Sequence, residues 1–181
     1  GIEKIKRVAA EAFRQSGSPV AVDGSYLLRT TSASPSAEVS FIIIPLRAAG
    51  EEAVPMWQNE TTVTVKVGSK AFANIYRGFN ETYDPTGKDM DTMLTEVLGV
   101  DPSNPSSSQP SAMLIVENSD GDFSLDTNEK GYLLIYLGNG SFAPPRESVA
   151  VEIRVEQGAP LTVNFYVPST LPQDSYVTIP S

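Results

Sequence analysis

The chain has 181 residues, a formal net charge of −9, 40% hydrophobic and 19% charged residues, and neither Cys nor His. That balance specifies a globular chain with enough length for one ordinary core, rather than a disordered one. It excludes disulfides and Ser-His-Asp or Cys-His catalysis, disfavours zinc sites, and through its negative charge argues against nucleic acid, whose phosphates require clustered Lys and Arg.

The chain contains no apolar run of about 18 residues and no signal-peptide pattern. Residues Gly1 to Gln15 predict a helix, because Ile2, Ile5, Val8, Ala9, Ala12 and Phe13 form one stripe at helical spacing. Lys4, Lys6, Arg7 and Arg14 fall outside that stripe, and Ser16-Gly17-Ser18-Pro19 ends it. Such a helix either packs on its own domain or is the tail of a longer helix whose apolar front half is missing. The abrupt start, without a capping residue, favours the second reading.

From Val20 to Thr31 the pattern is a strand pair or one bent strand, broken at Asp23-Gly24. Phe41-Ile42-Ile43-Ile44 is apolar on both faces, as a central buried strand requires, and Pro45 limits its pairing. Thr62 to Val67 alternates with period two. The period changes at Lys88 to Leu98, where Met90, Met93, Leu94, Val97 and Leu98 fall on one helical face ahead of Gly99. The helix is expected to pack as a crossover or lid. Asp101 to Ser111 is a Pro/Ser-rich loop, and Ala112 to Glu117 and Gly131 to Leu137 are strands.

The stretch Glu147 to Ile179 carries the clearest signal. Val149, Val151, Ile153 and Val155 alternate with polar or small residues, Gln157-Gly158-Ala159-Pro160 turns the chain, and Leu161, Val163, Phe165 and Val167 alternate again. This predicts an antiparallel hairpin that closes a sheet domain. The fold class expected for the whole chain is mainly β: an immunoglobulin-like antiparallel β-sandwich with an N-terminal helix and one short internal helix.

Two patterns carry candidate chemistry. Asn118, Asp120, Asp122, Ser124 and Asp126 stand at alternate positions of one loop and Glu129 follows at the twelfth, as the oxygen ligands of a calcium ion do. Phe123 occupies the sixth position, where an EF-hand needs Gly, and no helices flank the loop. A solvated acidic turn is the alternative. Asn59-Glu60-Thr61, Asn80-Glu81-Thr82 and Asn139-Gly140-Ser141 are N-glycosylation sequons in expected turns. Asp84, Asp89 and Asp91 read as surface acids without the aromatic cleft of a glycoside hydrolase, so no catalytic residue is assigned.

The run Gly158-Ala159-Pro160-Leu161-Thr162-Val163, followed by Tyr166-Val167-Pro168 and a short last strand, resembles the C-terminal end of archaellins, the subunits of the archaeal swimming filament. Val20 to Thr30, Ala37 to Met56 and Thr61 to Val67 extend the resemblance; residues 79–126 do not. It implies an extracellular structural protein of the cell-surface filament that self-assembles through an N-terminal helix, with the β-domain outward. Residues 1–16 would be the remnant of that helix and 17–181 the sandwich. Contact with the membrane would come only through a missing N-terminal segment, which the family frees with a prepilin-type peptidase. Glycans and a bound metal would belong on the outer domain. A stator-like or surface-layer-binding β-sandwich is the alternative.

Overall fold

The computed structural model describes residues 17–119 and 121–181; the helix expected over Gly1 to Gln15, the division at residue 16 and Asp120 lie outside the described residues. Among the described residues, thirteen strands and one helix follow in order. They are β1 (Val20–Val22), β2 (Tyr26–Thr30), β3 (Val39–Ala48), β4 (Val54–Pro55), β5 (Thr62–Val67), β6 (Lys70–Phe72) and β7 (Tyr76–Phe79). Then come α1 (Met90–Leu98), β8 (Ser111–Glu117), β9 (Ser124–Leu125), β10 (Lys130–Tyr136), β11 (Ser148–Arg154), β12 (Leu161–Tyr166) and β13 (Tyr176–Ile179).

The larger sheet runs β13-β2-β3-β10-β8-β7, with β1 also on β3; the smaller runs β12-β11-β5-β6; β4 and β9 form a separate pair. Pairing is antiparallel except between β7 and β8, which the segment holding α1 connects. Strands β1 and β2 lie end to end along the same edge of β3, Val22 opposite Leu46 and Leu27 opposite Ile43. The Asp23-Gly24 break therefore falls opposite Pro45, whose carbonyl accepts from the Asp23 amide at 2.8 Å. A residue without an N–H is tolerated where ladder pairing lapses.

The predicted hairpin forms β11 and β12, and the register stacks apolar rows across three strands. Phe165, Val149 and Val67 share one row, and Val163, Val151 and Val65 the next. Those side chains face Ile42, Ile44, Leu46, Leu133 and Ile135 of the larger sheet in one continuous core. Gly158 makes the turn possible. Its φ is +93°, and a Cβ there would meet Pro19 Cδ at 2.7 Å.

A second core lies on the opposite face of the larger sheet. Phe41, Ile43, Ile115, Leu134 and Tyr136 pack against Leu94, Val97 and Leu98 of α1. This explains why β3 and β10 show no alternation: both faces are covered. Asp89 caps α1 by accepting from the Thr92 amide at 2.8 Å, and Gly99 ends it at φ +72°.

Candidate functional site

One end of the domain gathers the acidic loop, an aromatic shelf and one sequon. The loop between β8 and β10 contains β9, which pairs with β4 so that Val54 faces Leu125 and Pro55 faces Ser124. The Met56 amide donates to the Phe123 carbonyl at 2.9 Å, and the Tyr76 hydroxyl donates to the Met56 carbonyl at 2.7 Å. Burial holds the Tyr76 phenol well above its ordinary pKa, so it remains a donor.

That pairing brings Asp122, Asp126 and Glu129 together, with one carboxylate oxygen from each inside a 4.8 Å span. The backbone shapes the cluster. Asp122 accepts from the Ser124 amide at 3.0 Å, and Glu129 from the Asp126 amide at 2.7 Å. Glu129 is buried and Asp122 is exposed. Asn118 is exposed at the loop entrance in a left-handed conformation, φ +55°. Three hard oxygens at this spacing fit a divalent cation of the calcium type.

The aromatic shelf adjoins this loop. Trp57 is 46% exposed and stacks on Phe123 with ring centroids 4.5 Å apart, while Phe79 meets Phe123 edge-on at 6.4 Å. These rings, with Asn59, Asn74 and Arg77, line a recess of about 580 Å³. The sequence contained the signal, since Trp57 precedes Asn59 by two residues, but its partner Phe123 is remote in the chain.

The three sequons differ once folded. Asn59 is exposed on a turn in which the Glu60 and Thr61 amides both donate to the Trp57 carbonyl, at 3.1 and 3.0 Å. Thr61 itself is fully buried, and its hydroxyl makes no hydrogen bond among the described residues. An unpaired buried hydroxyl costs about 1–3 kcal/mol. Asn80 is half-buried and accepts from the exposed Thr82 hydroxyl at 3.4 Å; Asn139 is exposed on a turn after β10.

The acids read as surface groups have separate duties. Asp84 closes a turn by accepting from the Thr86 amide, and Asp89 caps α1. Asp91 departs from the surface reading. It joins Arg29, whose side chain is 3% exposed, at 3.0 Å from Nε and 3.1 Å from Nη2. Asp174 meets Arg29 Nη2 at 2.8 Å, the Tyr176 ring lies 5.4 Å from the guanidinium carbon, and the Tyr176 hydroxyl donates to Asp91. Burial raises the Asp91 pKa, but the hydrogen bonds from Arg29 and Tyr176 and the Arg29 charge outweigh it and hold the carboxyl below its usual value. This knot ties β2, α1 and the C-terminal strand together.

No family model matches the sequence. The chain is 32% identical over 180 residues to "Probable flagellin 1" of Aeropyrum pernix, spanning 98% of this chain and 81% of that protein. Its fold is similar to the crystal structure of archaeal flagellin FlaB1 from Methanocaldococcus jannaschii, with a TM-score of 0.65, 14% identity, and 89% and 96% of the two chains covered. It is also similar to a subunit of the archaeal flagellum of Methanospirillum hungatei strain JF1, with a TM-score of 0.50, 12% identity, and 94% and 77% covered. At those identities the two structures show the fold, and the Aeropyrum relative, aligned over nearly the whole chain, shows the family. The chain belongs to the archaeal flagellins, or archaellins.

Proposed function

We propose that the chain is a non-catalytic building block of the archaeal swimming filament, polymerising with copies of itself through its N-terminal segment and carrying the β-domain outward. The observation that carries this reading is the 32% identity to a flagellin across 98% of the chain. A filament subunit needs a heterologous interface, in which one patch meets a different patch and the assembly stays open. The spacing of Ile2, Ile5, Val8 and Ala12 in the sequence is the one a bundling helix would need, and the doubly covered larger sheet supplies a rigid outer body. A non-enzymatic role is supported by the absence of His and Cys and by the structural duties of Asp84, Asp89 and Asp91. Among the described residues no helix is long and apolar enough to cross a membrane.

The test is made on source cells. Surface filaments are sheared off, and the protein in that fraction is identified by N-terminal sequencing and intact mass. Abundance in the filament supports the reading. Sparse recovery from the membrane or surface-layer fraction instead supports a stator-like or surface-layer-binding module.

The acidic loop belongs to the same outer body. We infer that Asp122, Asp126 and Glu129 hold a calcium ion there, supported by their 4.8 Å clustering and hard-oxygen chemistry. Calcium is expected to raise the melting temperature of the chain, and Asp122→Asn with Asp126→Asn to abolish the rise. An equal rise in the double variant removes the site.

A further inference from the structure

We propose that Asn59 carries an N-linked glycan whose first sugars lie on the Trp57–Phe123 shelf, and that the glycan is attached before the turn closes. The proposal rests on the reading of the chain as an outward-facing cell-surface subunit.

The first observation is Thr61. It is fully buried at the start of β5, and its hydroxyl has no hydrogen-bond partner among the described residues. Valine has almost the same shape and would leave no polar atom unpaired, so the fold gives no reason for a hydroxyl here. The acceptor sequon does: it requires Ser or Thr two residues after the modified Asn.

The second observation is the shelf. Trp57 is half exposed, two residues before Asn59, and is held flat by Phe123 beneath it. The carbonyl of Trp57 accepts from both Glu60 and Thr61, which brings the chain back on itself with Asn59 at the tip. Trp57 and Asn59 line one recess, together with Phe123, Asn74 and Arg77. The C–H face of a pyranose stacks on an aromatic ring, while its hydroxyls need amide and guanidinium partners. The recess offers both. Neither of the other sequons is built this way: Gly78 and Leu137 stand two residues before Asn80 and Asn139.

The order of events follows from burial. A transferase must reach the Asn amide and the hydroxyl of the same sequon, and the Thr61 side chain is sealed in the folded domain. Transfer therefore takes place on the chain before β5 docks. A lipid-phosphate-linked oligosaccharide is the donor. Its anomeric C–O bond to phosphate breaks, a bond from that carbon to Asn59 Nδ2 forms, one amide proton is lost, and the lipid phosphate leaves.

Trp57 is the single tryptophan of the chain, so its fluorescence reports this site alone. Glycopeptides of the native chain are mapped from whichever cell fraction holds it, and its acrylamide quenching is compared with that of the same chain produced without glycosylation. The expected result is an occupied Asn59 and quenching weakened at least twofold in the native glycoprotein. Bare Asn59 overturns the proposal, as does equal quenching in the two forms; failure of the filament reading shows separately, in the fraction from which the chain is recovered. Thr61→Val sharpens the test. In source cells it is expected to empty Asn59, while the unglycosylated variant keeps or raises its denaturation midpoint. A clear fall in that midpoint assigns the hydroxyl to the fold and removes the argument for the sequon.

Discussion

The two large sheets of this domain bury their residues by different rules. Strand β11 in the smaller sheet alternates, with Val149, Val151 and Ile153 inward and Ala150 and Glu152 half exposed. Strand β3 in the larger sheet buries every residue from Val39 to Leu46. The difference comes from a cover. Among the described residues, the outer face of the larger sheet is closed by α1, and the outer face of the smaller sheet is open to solvent. A sheet's tolerance of substitution thus depends on what lies over it, and here the cover is fastened by a buried arginine.

The comparison breaks most directly at Ile42 and Ile43, adjacent residues on opposite faces of β3. Each is buried in its own core, so Ile42→Ala and Ile43→Ala are both expected to cost about 2–5 kcal/mol by chemical denaturation. A surface-sized effect for Ile43→Ala alone would mean that α1 does not close that face.

The fastening comes next. Arg29→Met leaves Asp91 and Asp174 without their cation and removes the ion pair between α1 and β2. The expected cost is about 2–4 kcal/mol, below that of a wholly buried pair because both carboxylates keep partial solvent contact. The pH dependence has a definite sign. The folded-state pKa of Asp91 is depressed, so its contribution is present above the unfolded value of about 3.9 and is lost as pH falls through the folded value. Asp91→Asn is expected to flatten the acid limb of the stability curve in urea titrations. An unchanged slope would remove Asp91 from the knot's electrostatics.

Gly158 tests the other sheet. Gly158→Ala places a methyl against Pro19 in a left-handed turn, and a loss of about 1–2 kcal/mol is expected in the same denaturation measurement. The smallest effect belongs to the open face. Glu152→Ala removes a half-exposed residue whose partner Arg154 is itself exposed, and stability should move by less than about 0.5 kcal/mol. A larger loss would mean that the outer face of the smaller sheet is not simply wet.

Much of this was legible in the chain. The hairpin of β11 and β12 and α1 with its Gly99 stop follow from period and turn chemistry, and the central strands β3 and β10 from apolar runs without alternation, all local properties. Strands β6, β7 and β9 were not legible, because Lys70–Phe72, Tyr76–Phe79 and Ser124–Leu125 are too short to establish a period. The site was half legible. The acids of the loop and the sequon at Asn59 can be read from spacing, but the shelf between them depends on Trp57 meeting Phe123 through the pairing of β4 with β9.

The sequence by itself determined the mainly β class, the kinship with archaellins, and the exclusion of His- and Cys-based chemistry. Each rests on residues close together in the chain or on composition. Only the tertiary structure decided that Asp91 serves Arg29 rather than solvent, that Thr61 hides its hydroxyl, and that Trp57 and Asn59 share a recess with Phe123. Arg29 and Asp91 lie 62 residues apart. The hydrophobic pattern states that a face must be covered, and the folded chain selects which distant segment covers it.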